Sequence, residues 1–147
     1  MTVGHEWDDV ADGWDDAPGT REYAQGAFDS LIRRMADHDL TIDGMSVLDF
    51  GCGTGLLTEL LVDRVASIDA VDPSPAMRRV LTGKIRQHRW GSVRVLADLP
   101  AGSAYDLIVC SSVLSFVDDH PATVALLSTH LAPGGLLVHW DLSLIHI

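Results

Sequence analysis

The sequence is short of cysteine, of basic residues and of long apolar runs. Its two cysteines, Cys52 and Cys110, form neither a disulfide framework nor a zinc-binding spacing, so both are predicted to be free thiols in a reducing compartment. Apolar runs such as 107–110 and 136–138 fall far short of the roughly 18 residues of a membrane span. Acids such as Glu6 stand where a signal peptide would be basic and then apolar. We therefore expect a cytoplasmic protein with no membrane association.

Basic residues are outnumbered, since ten lysines and arginines stand against 21 acids and give a net charge of −11. Proteins that bind nucleic acids neutralise phosphates with basic side chains, so this balance argues against DNA, RNA and anionic membranes as partners. The acidity belongs to the N-terminal third, where residues 1–50 hold twelve acids and three arginines. The seven histidines form no HxxxH or HxH pair, so no metal site is expected.

The length of 147 residues, 47% of them hydrophobic, fits one folded domain. We predict an acidic lead over residues 1–19, a folded domain over 20–141, and a tail of doubtful origin over 142–147 that is left out of the fold prediction. From composition alone, the lead is interpreted as a partly disordered tail whose tryptophans pack on the sheet.

Apolar periodicity predicts alternating helices and strands. Helices are predicted to begin at Thr20, Thr54, Pro75 and His120, and strands are predicted over 45–50, 67–71, 93–97, 106–110 and 136–140. Thr20 is expected to cap the first helix, and the residues 133–135 (Pro-Gly-Gly) to end the last helix before the last strand. The connection between the third and fourth strands is too short for a clear helix.

Strands joined mostly by helices imply right-handed βαβ crossovers. The predicted fold class is therefore α/β, with a doubly wound, mainly parallel sheet. In such sheets, ligands bind at the carboxyl ends of the strands, near the point where the strand order reverses. The loops that follow the strands are the expected place for a site.

The clearest motif is the strand ending at Phe50, which runs into the glycine loop 51–55 (GCGTG) at the start of a helix. Glycines let the backbone turn tightly and approach a ligand, and the free N–H groups of the helix start offer polar contacts. A nicotinamide-binding fingerprint would need glycine at position 56, which is Leu56, so a dinucleotide site is disfavoured. The alternative interpretation is a tight turn that binds no ligand.

A second candidate is Asp72, which ends the predicted second strand and precedes Pro73. A carboxylate at this point of an α/β fold can accept hydrogen bonds from ribose hydroxyls. The alternative is an Asp-Pro pair that only starts a turn.

Residues 7–141 resemble class I S-adenosylmethionine-dependent methyltransferases of the group that acts on small molecules. The matches are the glycine loop, Asp72, the segment 97–100 (ADLP) after the third strand, the run 105–117 around the fourth strand, and the turn 131–135 (LAPGG). The lead 7–16 is also similar to the aromatic and acidic segment that many of these enzymes fold over the cofactor, so the resemblance implies that it is a lid. The resemblance implies an enzyme with a Rossmann-like methyltransferase fold. It also implies S-adenosylmethionine as the cofactor and methyl transfer to an unidentified small-molecule acceptor.

The resemblance also implies roles for individual residues. It assigns cofactor binding to Asp49, Gly51, Cys52, Gly53, Asp72, Pro73, Asp98, Leu99 and Cys110. Asp98 would contact the adenine, although an ordinary loop acid remains the alternative. Candidates for the acceptor pocket are Trp14, Tyr23, Ser115, Phe116 and His139. No catalytic residue is identified, but alignment of the reacting atoms can drive methyl displacement without a dedicated base.

Relatives in that family usually continue past the fifth strand and complete a seven-stranded sheet, so the last two strands are expected to be missing here. The fifth strand would then be an exposed apolar edge, through which an oligomer can form. The alternative function is a cofactor-binding but inactive or truncated domain, which needs a partner subunit or the missing C-terminal segment.

Overall fold

The computed structural model describes residues 5–111 and 120–140. A 3₁₀ helix, His5–Asp16, which we call the N-terminal strap, comes first. The remaining elements, in chain order, are α1 (Thr20–Asp37), β1 (Ser46–Phe50), α2 (Leu56–Leu61), β2 (Ser67–Val71), α3 (Pro75–His88), β3 (Val93–Leu96), β4 (Tyr105–Ser111), α4 (His120–Ser128) and β5 (Leu131–Trp140).

The five strands form one parallel sheet in the order β3-β2-β1-β4-β5. The chain builds outward from β1 to β3, then returns to the other side of β1 with β4. The order therefore reverses between β1 and β4, which confirms the doubly wound α/β prediction. The connection 97–104 between β3 and β4 contains no helix, as expected.

Successive side chains of the strands pack into hydrophobic clusters on opposite sides of the sheet. On β1, Val47 packs in a cluster with Leu31 of α1, Leu57 of α2 and Leu81 of α3. The adjacent Leu48 faces the opposite side and packs with Leu127 of α4. Each such burial contributes about 1.5–3 kcal/mol of hydrophobic free energy, so the strand is fixed from both faces.

Two predicted boundaries were wrong for reasons of backbone geometry. The helix predicted to start at Thr54 begins at Leu56, because Gly55 before it is held in the left-handed conformation with φ of 87°. The segment 133–135 does not separate α4 from β5, because α4 ends at Ser128 and the segment lies inside β5. A shift of the β4–β5 register between Tyr105 and Leu107 accommodates it.

Thr20 does not cap α1 as predicted. It is the first residue of the helix, follows Gly19 in the left-handed conformation, and makes no cap to the helix N–H groups. Its hydroxyl donates instead to the carbonyls of Trp14 at 2.7 Å and Ala17 at 3.0 Å. The predicted start of α3 is confirmed, since Ser74 accepts a hydrogen bond from Met77 N.

The N-terminal strap packs mainly on α3. Ala11 of the strap is buried against Ala76 and Met77 of α3, and Trp7 and Trp14 pack beside them. The two indoles meet edge to face with ring centroids 6.1 Å apart. The strap therefore lies beside the start of α3, which follows directly on the loop after β2.

In the described part of the chain, no helix combines the length and the apolar character needed to cross a membrane. Within residues 5–111 and 120–140, no three His, Cys, Asp or Glu side chains are grouped so that they could hold a metal ion.

Candidate functional site

A cavity of about 1060 Å³ opens at the carboxyl ends of the strands. Asp49 from β1, Asp72 after β2 and Asp98 after β3 all line it. These three strands are neighbours in the sheet, so their loops meet at one edge. The cavity thus lies where a doubly wound sheet places its ligand.

The glycine loop wraps around the end of β1. Gly51 N and Cys52 N donate to the carbonyl of Val71 at 2.8 and 3.0 Å, so the loop is held against the end of β2. A Cβ at position 55 would lie 2.5 Å from Leu81 Cδ1, which only glycine avoids. The loop therefore lies close to α3, and Gly51, Cys52 and Gly53 line the cavity.

Asp49 is 1% exposed and lies at the floor of the site. Thr58 Oγ1 donates to Asp49 Oδ2 at 2.7 Å. Burial raises the pKa of Asp49 to about 6, with the nearby charge of Asp72 acting in the same direction and the Thr58 hydrogen bond acting against it. This acid is ionised above that pH and then carries a buried negative charge at the end of β1.

Asp72 holds the glycine loop and the loop after β2 together. Its Oδ2 accepts from Gly53 N and its Oδ1 accepts from Ser74 N, both at 2.9 Å. Burial raises the pKa of Asp72, while these backbone hydrogen bonds and the Arg78 guanidinium oppose the rise. A carboxylate has about four lone-pair sites, so Asp72 can accept further hydrogen bonds from a ligand.

The structure brings most of the predicted cofactor residues together. Eight of the nine line the one cavity, namely Asp49, Gly51, Cys52, Gly53, Asp72, Pro73, Asp98 and Leu99. Cys110 does not line it, because its side chain is fully buried with Leu48 and Leu127 under α4. Ser111, the next residue of β4, lines the cavity instead.

The predicted acceptor residues divide into three groups. Trp14 and Tyr23 line the cavity. His139 is not among its lining residues, and its exposed ring lies edge to face against His120 with centroids 5.8 Å apart. The predictions for Ser115 and Phe116 lie outside the described residues.

Sequence reasoning missed three lining residues that precede β5, Thr123, Leu126 and His130. His130 Nδ1 lies 3.1 Å from the carbonyl of Ser103, in the connection before β4. No motif marks these positions, because a wall formed by α4 and the 97–104 connection depends on packing. The one available signal in the sequence was that the 97–104 connection is too short for a clear helix.

Two carboxylates of the N-terminal strap, Asp8 and Asp15, bind the loops beside the cavity. Asp8 Oδ1 accepts from Ser74 Oγ at 2.6 Å and from Ala76 N at 3.1 Å, at the start of α3. Asp15 Oδ1 accepts from the hydroxyl of Thr54, within the glycine loop. The acidic lead is therefore fastened to two of the three loops that carry predicted cofactor residues, the glycine loop and the loop after β2.

The chain belongs to the methyltransferase domain family, whose model matches residues 20–144. It is 35% identical over 129 residues to a trans-aconitate 2-methyltransferase of Azoarcus sp. (strain BH72), covering 84% of this chain and 49% of the relative. It is 31% identical over 134 residues to a ubiquinone biosynthesis O-methyltransferase of Xanthomonas euvesicatoria pv. vesicatoria, covering 87% of this chain and 55% of the relative. The chain thus spans about half the length of these curated relatives.

Solved structures agree with this family. The complex of DhpI with SAH (S-adenosylhomocysteine) matches with a TM-score of 0.72 at 24% identity, covering 92% of this chain and 65% of that one, which shows the fold. A SAM-bound amino pentose methyltransferase from Micromonospora echinaspora matches with a TM-score of 0.64 at 30% identity, covering 81% of this chain and 50% of that one. The Rossmann-like methyltransferase fold expected from the sequence is confirmed.

Proposed function

We propose that the protein transfers a methyl group from S-adenosylmethionine to a small-molecule acceptor. The observation that carries the proposal is the meeting of the glycine loop with Asp49, Asp72 and Asp98 in one cavity. Family membership over residues 20–144 supports the same activity. The acceptor is unidentified, and the names of the curated relatives cover acceptors as different as trans-aconitate and an intermediate of ubiquinone biosynthesis.

The residues of the cavity fit the cofactor in three places. Asp72 offers a carboxylate for the ribose hydroxyls, next to the backbone of Gly53. The glycine loop and Asp49 would hold the methionine end. Asp98 and Leu99, after β3, would contact the adenine. The cavity volume of about 1060 Å³ leaves room for an acceptor beside the cofactor.

When bound, S-adenosylmethionine supplies a methyl group on a positively charged sulfonium. The chain's own contribution is orientation, since in-line displacement requires that nucleophile, methyl carbon and sulfur be aligned. The carboxylates of Asp49 and Asp72 provide negative charge beside a cationic cofactor. An oxygen or carbon acceptor must also lose a proton, and no residue is assigned to that step.

The acceptor side of the cavity is proposed to include Trp14 of the strap and Tyr23 of α1, both of which line it. Residues 1–19 would then act as a lid over the domain of residues 20–141. Support comes from the hydrogen bonds that Asp8 accepts from Ser74, after β2, and Asp15 accepts from Thr54, in the glycine loop.

Three further proposals concern the setting of the reaction. The net charge of −11 favours a small-molecule acceptor over a nucleic acid. A cytoplasmic location is proposed from the free cysteines. An oligomer is proposed through β5, which pairs only with β4 among the described strands and lies at the edge of the sheet.

The alternative function is cofactor binding without turnover, with activity restored by a partner subunit or by a further C-terminal segment. The observation that favours it is the length of the match, which covers about half of the curated relatives. The two functions share the cofactor site and differ in whether this chain alone completes the acceptor site.

The test is a thermal-shift assay followed by a turnover assay on the full chain. Binding of S-adenosylhomocysteine should raise the melting temperature, whereas NADH should leave it unchanged. Formation of S-adenosylhomocysteine from S-adenosylmethionine with any of a panel of small acceptors would establish the enzyme. Protection without turnover would support the alternative, and protection by NADH alone would overturn both.

A further inference from the structure

We propose that Asp15 is a positioning residue that couples the N-terminal strap to the glycine loop and thereby holds that loop in its cofactor-binding conformation. The inference rests on the proposed function, because the ligand it concerns is the cofactor.

Asp15 contacts the glycine loop directly. Asp15 Oδ1 accepts a hydrogen bond from Thr54 Oγ1, across 39 positions of the sequence. Thr54 is 1% exposed and lines the cavity between Gly53 and Gly55. A buried hydroxyl needs a partner, so the loop is most stable when Asp15 is in place.

The other carboxylate oxygen of Asp15 forms an ion pair with α3. Asp15 Oδ2 lies 2.7 Å from Lys84 Nζ of α3, and the same ammonium lies 3.0 Å from Glu59 Oε1 of α2. The side chains of Lys84 and Asp15 are only 12% and 17% exposed. Solvent therefore screens this pair less than it screens an ion pair on the open surface.

The two carboxylate oxygens of Asp15 contact different parts of the protein. One oxygen binds the loop and the other binds α3, so a single carboxylate bridges the strap, the glycine loop and the helix behind it. Arg21 of α1 adds a weaker contact, 3.8 Å from Asp15 and 3.5 Å from Glu59. Loss of the negative charge at position 15 should release the strap and loosen the loop together.

The test compares Asp15→Asn with Asp16→Asn, an exposed acid of the same strap. Calorimetric titration with S-adenosylhomocysteine should give a dissociation constant weaker by about fivefold or more for Asp15→Asn, as expected for one lost charged hydrogen bond. Asp16→Asn should match the parent protein. Equal dissociation constants for all three proteins, measured well below their melting temperatures, would overturn the proposal.

A double-mutant cycle separates positioning from general destabilisation. Thr54→Val removes the hydroxyl and should weaken binding of S-adenosylhomocysteine as Asp15→Asn does. Thr54→Ser keeps the hydroxyl and should bind S-adenosylhomocysteine more tightly than Thr54→Val. The double variant of Asp15→Asn and Thr54→Val should be no weaker than either single variant. Additive losses would show that the two residues act separately and would contradict the coupling.

Hydrogen exchange separates this proposal from the proposed function. In the ligand-free protein, the amides of residues 53–56 should exchange faster in Asp15→Asn than in Asp16→Asn. If the parent protein binds no S-adenosylhomocysteine but this difference is seen, the proposed function fails while the coupling of strap and loop stands. If binding is intact and no difference is seen, the coupling itself is wrong.

Discussion

Thr58 Oγ1 of α2 donates a 2.7 Å hydrogen bond to Asp49 Oδ2 of β1, and both residues are at most 1% exposed. The bond ties the helix that follows the glycine loop to the strand that precedes it. It also stabilises the ionised form of an acid that burial would otherwise keep neutral. The hydroxyl of Thr58 thus fixes the carboxylate of Asp49 at the floor of the proposed cofactor site.

The buried Asp49 makes stability depend on pH. Its pKa is raised to about 6 in the folded protein, from an ordinary value of 3.8, so the folded state binds the proton more tightly than the unfolded state. The free energy of unfolding should therefore fall as pH rises from about 4 to about 6, by up to about 3 kcal/mol from this group.

Asp49→Asn should flatten this dependence, which urea unfolding at a series of pH values measures directly. The raised pKa of Asp72 acts in the same direction and stays in the variant, so some slope remains. A pH profile for Asp49→Asn identical to that of the parent protein would show that Asp49 is not the titrating group.

Thr58→Val should destabilise the protein in a pH-dependent manner. At pH 8 Asp49 is ionised, and losing a hydrogen bond to a charged group costs about 2 kcal/mol. At pH 5 the carboxyl is largely protonated, so the loss should be smaller. Thr58→Ser, which keeps the hydroxyl, is the control for urea unfolding at both values, and an equal loss at pH 5 and pH 8 would count against the assigned bond.

Gly55→Ala should destabilise the glycine loop strongly. The backbone φ at position 55 is 87°, and an added Cβ would lie 2.5 Å from Leu81 Cδ1. Left-handed strain and overpacking together should cost about 2–4 kcal/mol. The matched control is Gly26→Ala inside α1, where an added Cβ has nothing within 4 Å and should gain up to about 1 kcal/mol of helix propensity. Equal melting temperatures for the two variants would contradict the geometry.

Both cysteines should react slowly in the folded protein. Burial raises the pKa of Cys110 to about 12 and places the pKa of Cys52 well above its usual range. Because the thiolate is the reactive form, titration with a disulfide reagent at pH 8 should show slow labelling, and two rapid equivalents once guanidinium is added. A thiol that reacts within the mixing time without denaturant would refute this burial.

The strands and the cofactor motif were predictable because both rest on local patterns. The glycine loop after β1 and Asp72 after β2 need only their own neighbours in sequence to be recognised. Cys110 was predicted to reach the cofactor because it lies near the end of β4. Its side chain packs toward Leu127 instead, since successive side chains of a strand face opposite sides.

Long-range contacts were beyond the sequence. The docking of Asp15 on Thr54 and that of Asp8 on Ser74 join segments 39 and 66 positions apart, and no spacing rule connects them. The segment 133–135 is read locally as a helix stop, but pairing with β4 places it in a strand. In each case tertiary packing determines what a local pattern leaves open.

The cavity at the carboxyl ends of the strands is proposed to bind S-adenosylmethionine through Asp72. The most direct test of this proposal is calorimetric titration with S-adenosylhomocysteine of the parent protein, of Asp72→Ala, and of Asp63→Ala as an exposed control. We expect one binding site. Its affinity should fall at least tenfold in Asp72→Ala, because that variant loses hydrogen bonds to a charged group, and should be unchanged in Asp63→Ala. A folded parent protein that binds nothing, or an Asp72→Ala variant that binds as tightly as the parent, would contradict it.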